Sequence, residues 1–183
     1  MQFVDERIKS LGIKLYQQRP EEDYAIAMWW DRVYQDGTIS EFATEACKSL
    51  SVFMSMFKNP NLMLYTTHGG NIEMAGWCEP IATSQRAAFF SSWCDPDFRG
   101  SKRQAMVMSV IYETIFQFKE VLIGITKHKD LLDLHRKMGY TVEMYVPYLF
   151  DDNNAYVAFM TKDAFYEGQL FKTARKLFLK QGD

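Results

Sequence analysis

The sequence predicts one domain of mixed α/β layers, and three observations predict it. Apolar residues make up 48% of the 183 positions, enough material for one sizeable core and too little chain to require two. Segments of strand and helix periodicity follow one another as strand, two helices, three strands, helix, strand, helix and two strands, which places about seven strands among flanking helices. No internal repeat, low-complexity tract or linker interrupts that order, so residues 1–183 form one unit with a core of about 11–162 and a C-terminal helix of about 163–180.

Each element has a local reason. Leu11, Ile13 and Leu15 alternate with other residues up to Gln17, the period of a half-buried strand. Arg19-Pro20 ends it and opens a helix, because Glu21, Glu22 and Asp23 suit the positive end of the helix dipole and Ala25, Ile26, Trp29 and Val33 recur at helical spacing. The spacing puts one of Trp29 and Trp30 inside and leaves the other half-exposed. Thr38 or Ser40 caps a second helix carrying Phe42, Ala46, Leu50 and Phe53. Leu62–Tyr65, the turn residues His68-Gly69-Gly70-Asn71 and Ile72–Ile81 read as a hairpin, and Arg86–Cys94 reads as a central strand ended by Pro96. From Ser101 to Lys119, Ala105, Met108, Ile111, Ile115 and Phe118 line one face of a long helix, with Ser109 and Gln117 off it. Val121–Ile125 follows as a buried strand, then a helix over Lys129–Met138 stopped by Gly139. Thr141–Phe150 and Ala155–Thr161 are strands joined by the turn cluster Asp151–Asn154. A basic helix over Asp163–Lys180 places Phe165, Phe171, Leu177 and Phe178 on its apolar side.

Composition excludes several classes. A net charge of −2 with 24% charged residues argues against nucleic-acid binding, which needs clustered Lys and Arg. No run reaches the ~18 apolar residues of a membrane span and the N-terminus carries charges where a signal peptide is apolar, so a cytoplasmic protein is expected. Cys47, Cys78 and Cys94 are odd in number and widely spaced, which reads as reduced thiols; His68, His128 and His135 have no ligand spacing with them, so no metal site is expected.

The element order, the segment DPDFRGSKRQ and the segment LLDLHRKMGY resemble the GNAT superfamily of acyl-CoA N-acyltransferases over about Leu11–Lys162. That resemblance implies a GNAT-like fold with a central, mostly antiparallel sheet. It also implies acetyl-CoA as cofactor and an amine as acceptor. The family's cofactor loop resembles P-x-x-R-G-x-G-x-G/A; Pro96, Arg99 and Gly100 match, while Lys102 and Gln104 replace the two later glycines. In the family this loop starts a helix whose free N–H groups take the coenzyme A pyrophosphate, which implies Arg99, Gly100, Ser101, Lys102, Arg103 and Gln104 as cofactor-binding residues. Lys102 either adds an ammonium near phosphate or blocks the approach. The pantetheine arm lies along a splayed central strand in the family, which points to Ser92, Trp93 and Cys94.

LLDLHRKMGY matches the family helix ending L-Y-x-K-x-G-F at Leu134, Lys137, Gly139 and Tyr140, with His135 at the tyrosine position. Tyrosine there protonates the leaving thiolate, so His135 is the implied general acid. A carboxylate base is frequent on the strand before the loop; this strand has none, leaving Glu79 on the preceding strand or a water held by Ser91. No serine or cysteine has a paired base, so direct attack by the amine is expected over a covalent acyl-enzyme.

Two functions are compatible with these residues. One is a coenzyme A-dependent N-acetyltransferase. The other is a non-catalytic acetyltransferase fold serving as a structural or adaptor part of a larger assembly, since altered loops of this type resemble acetyltransferase-like proteins of short-tailed phages, including virion proteins. A cofactor site requires the Arg99–Gln104 loop to lie open beside a groove.

Overall fold

A hairpin organises the first half of the chain. In the computed structural model, which describes residues 2–35, 37, 39, 48–58, 61–150 and 153–180, strand β2 (Leu62–His68) turns through Gly69-Gly70 into β3 (Asn71–Ile81). β3 pairs antiparallel with β4 (Ser84–Cys94), and β2 pairs on its other edge with β1 (Lys14–Leu15). The second half is a smaller ladder: β5 (Val121–Thr126) and β6 (Val142–Phe150) flank β7 (Asn153–Thr161), both antiparallel to it. β4 and β5 join the halves in parallel, and the seven-stranded sheet runs β1-β2-β3-β4-β5-β7-β6. The predicted mixed fold with about seven mostly antiparallel strands is the observed one.

Helices cover both faces. On one face α2 (Pro20–Gln35) and α3 (Leu50–Ser55) bury Ile26, Trp29, Val33 and Phe53 against Tyr65, Trp77 and Trp93. On the other, α4 (Lys102–Ile115) lies over Met74, Phe90 and Leu122. Outside α4 pack α1 (Gln2–Ser10) and the C-terminal pair α6 (Lys162–Glu167) and α7 (Gln169–Leu179), while α5 (Leu132–Met138) follows a short 3-10 turn, Lys129–Leu131. Of the two residues expected off the apolar face of this helix, Gln117 is exposed beyond its end and Ser109 is covered. Ser109 is buried at 1% and Glu113 bonds Arg7 of α1 at 2.6 Å. The exposed cations Lys172, Arg175, Lys176 and Lys180 leave the apolar side of α7 against α4, so that helix seals its own domain.

Three further expectations change. The strand expected over Leu11–Gln17 shortens to Lys14–Leu15, because the preceding residues close α1. Ile13 N–H donates to Ile8 O and Gly12 N–H to Lys9 O, a Schellman motif with Gly12 at φ +67 and Ile8 and Ile13 in the same core cluster. The single C-terminal helix over 163–180 is broken at Gly168, which is extended at φ −69 and ψ 157. A Cβ there would stand 2.9 Å from Met138 O, so the chain bends where it meets the end of α5. The helix expected from Lys129 divides into the 3-10 turn and α5. Cys47 and the cap residues Thr38 and Ser40 lie outside the described residues, as do Phe42, Ala46, Asp151 and Asp152.

Candidate active site

The parallel seam between the halves is short. β4 and β5 pair only at Ala87↔Val121, Ala88↔Leu122 and Phe89↔Ile123, after which β4 continues to Cys94 and β5 to Thr126 without a shared ladder. Asp95 N–H donates to Glu73 O on β3 at 2.9 Å. The C=O and N–H of one peptide unit point in opposite directions, so the Cys94 carbonyl points away from β3, into the gap. With the two-residue alternation of an antiparallel ladder, Ser92 and Cys94 present their backbone N–H and C=O groups to the gap while Trp93 presents its own to β3. Of the three strand residues expected to meet cofactor, Ser92 and Cys94 therefore face the gap through their backbone. Trp93 does not, since its ring is 6% exposed within the α2 core.

At the end of β4 the chain makes a 3-10 turn, Pro96–Phe98, and enters α4. Asp95, 4% exposed, accepts from Asp97 N–H at 3.0 Å through one oxygen and from Arg32 of α2 through the other; the Arg32 guanidinium also lies 5.8 Å from the Trp93 ring centroid. α2 is thereby tied to the root of the loop. Gly100 has φ +73, a conformation that L side chains rarely adopt, which explains why this one family glycine remains. Ser101 Oγ caps α4 by accepting from Gln104 N–H at 3.0 Å, and Gln104 Oε1 accepts from Gly100 N–H at 2.6 Å, a capping box displaced by one residue. Arg99 Nε donates to Cys94 O at 3.1 Å. Lys102 is exposed.

Arg103 is directed inward. Its Nε donates to Glu73 at 2.8 Å and its Nη2 to Leu11 O at 3.1 Å. Glu73, 1% exposed, also accepts from the Thr66 hydroxyl at 2.9 Å. Sequence reasoning missed Glu73 and Arg32, because a lone charge on a strand or helix reads as solvated until the fold shows what covers it.

His135 and Glu79 stand on opposite faces of the sheet. The His135 ring is 5.0 Å from that of Tyr140, which packs against the bare side of Gly124, the first β5 residue beyond the seam. Burial pushes the His135 pKa below its ordinary value of 6.5, opposed by the nearby Glu143 carboxylate, so the ring is neutral at pH 7. His135 Nδ1 and Glu143 Oε1 are buried without hydrogen-bond partners among the described residues. Burial raises Tyr140 to about 12. Glu79 pairs with Phe89 on the α2 side, where burial raises its carboxyl. Burial also lifts the free thiols Cys78 to about 11 and Cys94 to about 12, which keeps both protonated and poorly nucleophilic. No cluster of His, Cys, Asp and Glu fit for a metal ion occurs among the described residues.

The depressed His135 pKa carries a stability prediction. Between its ordinary and folded values the unfolded chain takes up a proton that the folded chain does not, so the contribution is complete above pH 6.5 and is lost as pH falls through the folded value. Urea unfolding at pH 7.5 and 5.5 is expected to show a larger loss in the wild type than in His135→Gln.

No family model and no curated protein matches the chain. Solved structures do. Mycobacterium smegmatis RimJ in complex with CoA-disulfide is 10% identical with a TM-score of 0.64, covering 90% of this chain and 88% of that one. Spermidine N-acetyltransferase from Vibrio cholerae, in complex with CoA and spermine, is 11% identical with a TM-score of 0.61, covering 84% and 98%. The aminoglycoside acetyltransferase AAC(6')-Ib, in complex with ribostamycin and coenzyme A, is 12% identical with a TM-score of 0.60, covering 84% and 96%. A putative acetyltransferase of the GNAT family from Desulfovibrio desulfuricans covers 81% of this chain and 98% of its own at a TM-score of 0.59. With its seam, splayed central strand and loop leading into α4, this chain has the fold of the GNAT acetyltransferases.

Proposed function

We propose that the chain is a coenzyme A-dependent N-acyltransferase that moves an acetyl group from acetyl-CoA to an amine. The observation that carries this reading is the gap beyond Phe89, into which Ser92 and Cys94 turn backbone groups that no strand ladder takes up, beside the N-terminus of α4. An extended pantetheine arm fits such an edge, and the exposed Lys102 at the start of α4 fits a pyrophosphate. The neighbours that hold coenzyme A with spermine or an aminoglycoside support amines as the acceptor class.

Acetyl-CoA supplies an acyl thioester when bound. Glu79, on the α2 face, takes a proton from the acceptor ammonium, and its raised carboxyl pKa brings it nearer the working pH. His135, on the other face, donates a hydrogen bond to the departing sulfur; its ring is neutral at pH 7, so it is a hydrogen-bond donor first and a full proton donor only in acid. Overall the nitrogen–carbon bond forms, the carbon–sulfur bond breaks, and the amine proton ends on the thiol. A second reading, an acetyltransferase fold kept for contacts within an assembly such as a phage virion, draws support from Arg99, Arg103 and Gln104, which all bond to protein groups.

Calorimetric titration with acetyl-CoA and with CoA separates the two. Saturable binding is expected, weakened about tenfold in Lys102→Glu by reversal of an exposed charge facing phosphate. Absence of heat, together with an unshifted melting temperature, would leave the assembly reading.

A further inference from the structure

The groups that a cofactor needs at this gap are already taken by the loop beside it. Gly100 N–H, in the turn before α4, is held by the Gln104 side chain at 2.6 Å, and Gln104 occupies the position of a family glycine. One carbonyl that β4 directs into the gap, that of Cys94, is held by Arg99 at 3.1 Å. Arg103 is committed to Glu73 and Leu11 O, so it does not replace either contact. Both occupied groups lie on one five-residue segment plus the strand end that precedes it, and both occupants are side chains able to swing into solvent.

We infer that Gln104 is a latch on the anion site, its side-chain oxygen standing where a phosphate oxygen would sit, so that coenzyme A binds only as Gln104 leaves Gly100. This rests on the acyl-CoA reading. It goes beyond it by making the affinity of the loop adjustable at one residue. A glycine at this position leaves the amide open. The glutamine instead keeps the loop ordered and its donor satisfied in the absence of ligand, and lowers affinity by the free energy of an exposed hydrogen bond. The Arg99 bond to Cys94 O closes the neighbouring strand edge in the same resting arrangement.

The test compares wild type, Gln104→Ala and Gln104→Glu by calorimetry with CoA, and follows the Gly100 amide by nitrogen-15 NMR without ligand. Gln104→Ala keeps a good helix former at a half-buried site, and its melting temperature controls for folding. Gln104→Ala is expected to bind about three- to tenfold more tightly than wild type, and Gln104→Glu, which keeps the acceptor and adds a like charge, more weakly than wild type. The Gly100 amide is expected to shift in Gln104→Ala before any ligand is added. Binding by Gln104→Ala where wild type shows none would support the latch in its strongest form. Equal or weaker binding by Gln104→Ala beside a binding wild type, or an unmoved Gly100 amide, would overturn the latch and leave the acyl-CoA reading standing. If neither wild type nor Gln104→Ala binds, both fall.

Discussion

Truncating Trp29 to alanine is expected to lower the unfolding free energy by about 4 kcal/mol, as large buried aromatics do when the space they leave cannot collapse. Trp29 is 2% exposed and lies within 5.1 Å of Phe53, 5.5 Å of Phe57, 5.2 Å of Trp93 and 6.3 Å of Trp77, counted between ring centroids. It is thus the piece through which α2 and α3 both grip the sheet. The adjacent Trp30 is half-buried and stacks on Tyr34 at 5.1 Å near the surface, so Trp30→Ala should cost about 1 kcal/mol. Urea denaturation followed by circular dichroism checks the contrast. Equal losses would mean that the aromatic cluster is not the anchor of α2.

Replacing Glu73 by alanine is expected to cost about 3 kcal/mol and to loosen the loop at the same time. The carboxylate is buried and accepts from Arg103 and Thr66, and its own carbonyl accepts from Asp95. Removing it leaves a buried hydroxyl and a half-exposed guanidinium without their acceptor, a cost set by desolvation. Because Arg103 belongs to the first turn of α4, the amides of residues 100–104 should exchange with solvent faster in Glu73→Ala. The double variant Glu73→Met with Arg103→Met should be more stable than Glu73→Ala alone, since no charge is then left without a partner.

Much of the architecture is written in local pattern. The acidic turn after Pro20 marks α2, the paired glycines mark the hairpin, and Gly139 at φ +115 marks the end of α5. α1 carries little of this kind of signal. Its Arg7 finds Glu113 across 106 residues, and that ion pair is a property of the packed α1 and α4 together. The break at Gly168 has the same origin, because the group that a Cβ there would meet, Met138 O at 2.9 Å, belongs to another element.

The candidate site divides along the same line. The positions of the loop before α4 and of His135 on α5 are legible in the motifs, since spacing along a chain survives folding. The partners of those residues do not follow. Arg103 reads as a phosphate ligand until Glu73 is seen beneath it, and Trp93 reads as a gap residue until strand alternation turns it into the core. Neutral burial of His135 likewise depends on Tyr140 and on the elements around it.

The three-residue seam also bears on how the chain assembles as it is synthesised. The four strands between Lys14 and Cys94 form a row of neighbouring antiparallel strands, and all four are translated before any residue of β5 exists. The nascent chain therefore displays β4 as an open edge, with Phe90 and Ala88 bare on the side that α4 later covers. Capture of that edge by another chain is the natural misfolding route, and it closes only when the α4 crossover delivers Val121–Ile123. Substitutions that weaken α4 should accordingly lower the soluble yield more than their effect on the finished fold would suggest.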